Sequence, residues 1–233
     1  MALPKLASAK YELTLPSTGE TVEFRPFLVK EEKALMLAQQ ENNQSSMIRA
    51  IEEIISACTF DKLKPKDLPI FDIEYVFLKL RAKSVGEISR LSIKCPDDNE
   101  TLVEVDIDLS KIECHKEVGH NNNIKITDDV GLILNYPNVD TMKSLDNNDE
   151  TGATFDVITS CISQIYDADN VYAKNDMDKE ELNDFIESMS HIQFEMIQEF
   201  FATMPKVKHS VKIKNPNTGV ESEVVLEGLS DFF

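Results

Sequence analysis

Apolar and polar residues alternate on both sides of Pro16-Ser17-Thr18-Gly19 in YELTLPSTGETVEFRPF, from Tyr11 to Phe27, which predicts strand, turn and strand. The period then lengthens. Val29 to Gln40 and Ser45 to Phe60 read as two amphipathic helices, the second carrying Met47, Ile48, Ile51, Ile54, Ile55 and Cys58 on one side. After the turn-rich KLKPKDLP, the run IFDIEYVFLKLRAKS predicts a third helix with Ile70, Ile73, Val76, Phe77 and Leu80 as its apolar stripe.

Alternation returns at Ile88. Ile93, then Val103, Val105, Ile107 and Leu109, predict a second hairpin turning at CPDDNE. His115 to Thr127 is polar and reads as a loop, VGLILNYP as a buried strand ending at Pro137, and Asn138 to Gly152 as a mobile acidic segment. Phe155 to Tyr166 has helical spacing, and DADNVYAKNDM reads as an acidic loop. A long helix is predicted from Lys179 to Met204, opened by the Asp178/Glu181 capping pair and stopped by Pro205. Its wide apolar face, which includes Leu182, Ile186, Ile197, Phe200 and Phe201, predicts core packing first and a docking groove second. The sequence closes on a third hairpin and the pair Phe232-Phe233, which needs a core or a partner to cover it.

The second and third hairpins repeat one another. Ile93 and Ile213, Pro96 and Pro216, Val105 and Val225, Leu109 and Leu229, and Ser110 and Ser230 are all separated by 120 positions. The first hairpin shares Pro-x-Thr-Gly with the third, a combination that type I turn chemistry also favours, so common descent and convergence both remain open. The expected fold is α+β: amphipathic helices packed with three hairpins, two of them degenerate zinc-ribbon-like, and a C-terminal helix followed by a closing hairpin. The expected domains are 1–87 (hairpin and helices), 88–137 (ribbon-like hairpin and strand), 138–153 (flexible acidic linker) and 154–233 (helices and C-terminal hairpin).

Composition narrows the chemistry. With 233 residues, 42% of them hydrophobic, a core forms without crosslinks. A net charge of −18 opposes nucleic acid and anionic membrane surfaces. Four scattered cysteines and an N-terminal stretch without a signal-peptide pattern predict a reducing cytoplasm, and no run is long enough to span a bilayer. Cys95-Pro96 at a hairpin tip has the shape of a zinc knuckle, yet Asp98, Asn215 and Thr218 stand where further thiolates belong, and Cys114, His115 and His120 form only a loose cluster. Hairpins held by packing are therefore expected, with no metal and no cofactor. Leu15 to Gly19 matches a sortase signal but stands far from the C-terminus and reads as a turn, His191 lacks a neighbouring ligand, and the acidic loop lacks the calcium-loop glycine. No nucleophile elbow, phosphate loop or dinucleotide fingerprint is present, so no enzymatic activity is expected.

Three stretches carry a resemblance. The helix ending Phe200-Phe201-x-x-Met204-Pro205-Lys206, followed by a hairpin and a terminal Gly228-Leu229-x-x-Phe232-Phe233, resembles the T-even-type phage baseplate hub family. LPSTGETVEFRPFLVKEEKALMLA and VGLILNYPNVD are similar to that family's opening and central strand. The resemblance implies a non-enzymatic hub subunit, or a hub assembly factor, of a contractile tail. It implies other baseplate hub proteins as partners and leaves homo-oligomers open. It places the chain in the host cytoplasm during assembly and, if it is a subunit rather than an assembly factor, in the virion's tail baseplate. Relatives can carry Cys-x-x-Cys knuckles in the later hairpins, from which this chain departs. The alternative is a degenerate zinc-ribbon-like module acting as a tail assembly chaperone or adaptor. Candidate interaction residues are Phe200, Phe201, Leu229, Phe232 and Phe233.

Overall fold

A computed structural model describes residues 7–41, 43–143 and 150–232. The chain is α+β, as expected, with seven α-helices and several small antiparallel sheets among the described residues. Phe233, Met1 to Leu6 and Ser144 to Asp149 of the predicted acidic linker lie outside the described residues. The backbone forms two compact units, one of residues up to His115 together with those from Pro205 onward, the other Lys116–Met204.

The first unit begins with β1 (Tyr11–Thr14) and β2 (Thr21–Phe24), paired as a hairpin, followed by α1 (Val29–Gln40), α2 (Gln44–Cys58) and α3 (Ile70–Ser84). The tip of this hairpin is anchored to α3: fully buried Asp72 accepts hydrogen bonds from the Ser17 N–H at 3.1 Å and from the Ser17 hydroxyl. Burial pushes the Asp72 carboxyl above its ordinary range, against the pull of those two bonds. At the start of α1, buried Glu31 accepts from the Leu28 N–H at 2.8 Å and from the Arg25 guanidinium at 2.9 Å, satisfying a helix-terminal amide.

Two further hairpins complete this unit, β3 (Ile88–Lys94) with β4 (Leu102–Asp108), and β10 (Lys206–Lys214) with β11 (Glu221–Glu227). The short strand β5 (Glu113–His115) joins the edge of β10, pairing Val207 with Cys114. Alternation works as the sequence predicts: Ile93 and Ile107 point into one core with Val211, Ile213, Leu226 and Phe232, and Leu78 and Ala82 of α3 close it. A 3₁₀ turn follows each hairpin, at Leu109–Lys111 and Leu229–Phe232, and α3 holds both. Lys79 Nζ donates to the Ser110 and Ile112 carbonyls at 2.7 and 2.8 Å, and the Leu229 N–H donates to Glu74 Oε1 at 3.3 Å. The closing hairpin thus packs on α3.

The second unit is built on a four-stranded antiparallel sheet ordered β6 (Asn123–Lys125), β7 (Gly131–Leu134), β8 (Ile162–Tyr166) and β9 (Val171–Ala173). Its helices are α4 (Val139–Lys143), α5 (Glu150–Cys161), α6 (Lys179–Glu187) and α7 (His191–Thr203). Three predictions are corrected here. Ile162 to Tyr166 is a strand rather than the end of a helix, because its backbone completes ladders with β7 on one side and β9 on the other. The polar stretch after His115 contains strand β6, which pairs with β7. The long helix is two, because Ser190 opens a new helix by accepting from the Gln193 N–H at 3.4 Å while the Gln193 side chain accepts from the Ser190 N–H at 2.8 Å.

Candidate functional site

The three hairpin tips share one backbone design. In each, an X-Pro turn places the carbonyl of its first residue (Leu15, Cys95 or Asn215) to accept from the N–H four positions on, at 2.9 Å in all three. That fifth residue is left-handed, with φ 72° at Gly19, 56° at Asn99 and 78° at Gly219, which is why glycine or asparagine stands there. The first residue of each turn is buried. The three tips therefore share one turn geometry, and Cys95 alone of their first residues carries a thiol.

Two of these tips meet. The Asn215 side chain, 1% exposed, donates to Asp97 Oδ1 and Oδ2 at 3.0 and 3.1 Å and to Asp98 Oδ2 at 2.8 Å. Thr218 Oγ1 donates to Asp97 Oδ2 at 2.6 Å, and Asn217 Nδ2 donates to Thr101 Oγ1 at 3.0 Å. Positions 95, 98, 215 and 218, where a paired knuckle would carry four ligands, hold Cys, Asp, Asn and Thr. The contact is thus a polar clasp. Thr218 and Asn215 hold the Asp97 carboxyl below its ordinary range, and Thr101, with the Glu100 and Thr101 amides and Asn215, does the same for Asp98. The Cys95 thiol is shifted the other way, by burial first and then by these carboxylates.

The loose cluster is divided between the two units. Cys114 is half-buried in β5 with its thiol pushed up to about 12, chiefly by burial, and His115 is exposed. His120 belongs to the second unit, where its ring lies 5.0 Å from Phe200 and 5.6 Å from Tyr136. Its Nδ1 is 2.9 Å from Thr203 Oγ1, and its Nε2 is 3.1 Å from the Tyr136 hydroxyl. Thr203 gives its own proton to the Glu199 carbonyl, so the neutral Nδ1–H tautomer fits, donating to Thr203 and accepting from Tyr136. Burial lowers the His120 pKa. Among the described residues no group of three His, Cys, Asp or Glu side chains is arranged to hold a metal ion, and no helix is long and apolar enough to cross a membrane.

The predicted interaction residues fall in two places. Phe200 is buried in the core of the second unit, and Phe201 packs edge-on against it, with centroids 5.1 Å apart and planes at 86°. Phe232 is fully buried in the core of the first unit, its carbonyl accepting from Ser89 Oγ at 3.0 Å, and Leu229 packs half-buried beside it. Phe233 lies outside the described residues. Sequence reasoning did not single out Glu74, Lys79, Asp97 or the structural use of His120. The 120-residue offset matches position 95 with 215 and 98 with 218 but gives no sign that the two tips meet.

Among the described residues the predicted positions thus form a polar clasp between two hairpin tips and buried aromatic packing in each unit. The family model for the T4 bacteriophage base plate protein matches residues 8–233, and the chain belongs to that family. No match was found among curated proteins or among solved structures.

Proposed function

We propose that this member of the baseplate family is a structural subunit or an assembly factor of the central hub of a contractile tail, working without catalysis. Membership of the baseplate family over residues 8–233 is the observation that carries this reading. The hub position rests on the resemblance of the Phe200-Phe201-x-x-Met204-Pro205-Lys206 helix end and the Gly228-Leu229-x-x-Phe232 close. In this role the chain meets other hub proteins in the host cytoplasm, and Phe201, Leu229 and Phe233 are its proposed contact points.

Quantitative mass spectrometry of purified virions against lysate of the same infection tests the proposal. Peptides in the virion at a level set by tail symmetry identify a permanent subunit. Peptides abundant in lysate and absent from virions identify an assembly factor. Complete, infectious tails from an infection lacking this chain refute both.

A further inference from the structure

Negative charge is divided unevenly along the chain. The unit Lys116–Met204 holds 18 Asp and Glu against 5 Lys and Arg, so it carries −13 of the total −18. Within it, α7 buries Ile197 and Phe200 and turns Ile192, Glu195, Met196 and Glu199 to solvent, one stripe at i, i+3, i+4 and i+7. Ile192 keeps 67% of its surface exposed and Met196 37%. Fully exposed Val118 stands on the loop that His120 pins to the last turn of the same helix.

We propose that this face of α7 docks an amphipathic helix of another baseplate protein, one that carries Lys or Arg beside an apolar stripe. The inference rests on the assembly reading above and adds the chemistry of the partner. Ile192 and Met196 offer apolar seats, and Glu195 and Glu199, one turn apart, match cations spaced one turn apart on an approaching helix. The field of a −13 unit attracts such a helix and repels an acidic one. A second copy is the less favourable occupant. Helix α1 does expose Val29, Lys33 and Met36, but two copies carrying −18 each repel one another.

The test uses the full chain with ¹³C-labelled Ile and Met methyls, titrated with a synthetic Leu/Lys amphipathic helix and with its Leu/Glu counterpart. Ile192→Val and Met196→Leu assign the two resonances. The expected result is saturable shifts centred on Ile192 and Met196 with the basic helix alone, and affinity lowered roughly ten-fold by combining Glu195→Gln with Glu199→Gln, both exposed. Shifts spread over all methyls, or equal shifts with the acidic helix, overturn the proposal. So do shifts of Ile192 and Met196 with protein concentration alone, which assign the face to a second copy. The virion measurement is independent, so failure of the hub reading and failure of this one are separately visible.

Discussion

Replacing Asn215 by alanine tests whether the clasp between the two hairpin tips stabilises the fold. The side chain is 1% exposed, and its amide donates to two carboxylates while its carbonyl accepts from the Asn217 and Thr218 amides at 2.8 and 3.3 Å. Hydrogen bonds to charged groups contribute roughly 1.5 to 3 kcal/mol each. Water reaches the exposed Asp97 after truncation and offsets part of the loss, so a destabilisation of about 2 to 3 kcal/mol is expected. That corresponds to a Tm lower by roughly 5 to 10 °C. The chain has no Trp, so urea unfolding is followed by far-UV circular dichroism, and because there are two compact units the transition lost first is the one to compare. Asn217→Ala, which removes only an exposed bond to Thr101, serves as the control and is expected to cost under about 0.5 kcal/mol. If both variants unfold with the wild type, the clasp is an ornament of packing and the reasoning fails. The carboxylates give a second readout: their pKa values are depressed in the fold, so their contribution is present above the ordinary carboxylate range and is lost as the pH falls through the folded values.

Glu74 titrates in the opposite sense, its carboxyl raised to about 6 mainly by burial, with Glu227 and Asp231 adding to the shift and the Leu229 amide opposing it. The stability it contributes is full below about 4.5 and is lost as the pH rises through about 6, by up to about 2 kcal/mol. Glu74→Gln keeps the acceptor for Leu229, and the difference in unfolding free energy between the two proteins should vanish at low pH and favour the variant above neutrality. A pH-independent difference would disprove this account. Gly131 lies opposite Tyr166 in the β7/β8 ladder, where an added Cβ would overlap the tyrosine ring and stand 2.9 Å from the Ile124 carbonyl oxygen. Gly131→Ala is expected to cost roughly 1 to 3 kcal/mol, with part of the loss recovered when Tyr166 is also made alanine, and strict additivity of the two would refute the clash. Phe232→Ala should cost about 3 to 5 kcal/mol in the isolated protein; unchanged thermal stability would contradict its burial in the first unit.

Periodicity alone made the early elements legible. The stripe of Ile73, Val76, Phe77 and Leu80 and the alternation of Ile93 and Ile107 are local patterns, and both became the core they announced. The break between α6 and α7 was also written locally, as Ser190-x-x-Gln193, but the continuous apolar face across it imitates one helix. Strand β8 was not legible, because Ile162 and Ile165 satisfy a helical spacing equally well and only pairing with β7 and β9 selects the extended backbone. The candidate site was legible in part: the 120-residue offset matches the two tips, but the clasp that Asn215 makes with Asp97 and Asp98 left no local signal.

By itself the sequence determined the element types, the acidic character, the missing thiolates and the family resemblance, all of which depend on residue identity or short-range spacing. Tertiary structure alone decided which surfaces meet. The Asn215 clasp joins residues about 118 positions apart, and Glu74 holds the Leu229 turn across 155. Which helix receives the closing hairpin follows from the competition of whole apolar faces for cover, and that competition is settled by shape and burial in three dimensions, where no local pattern reaches.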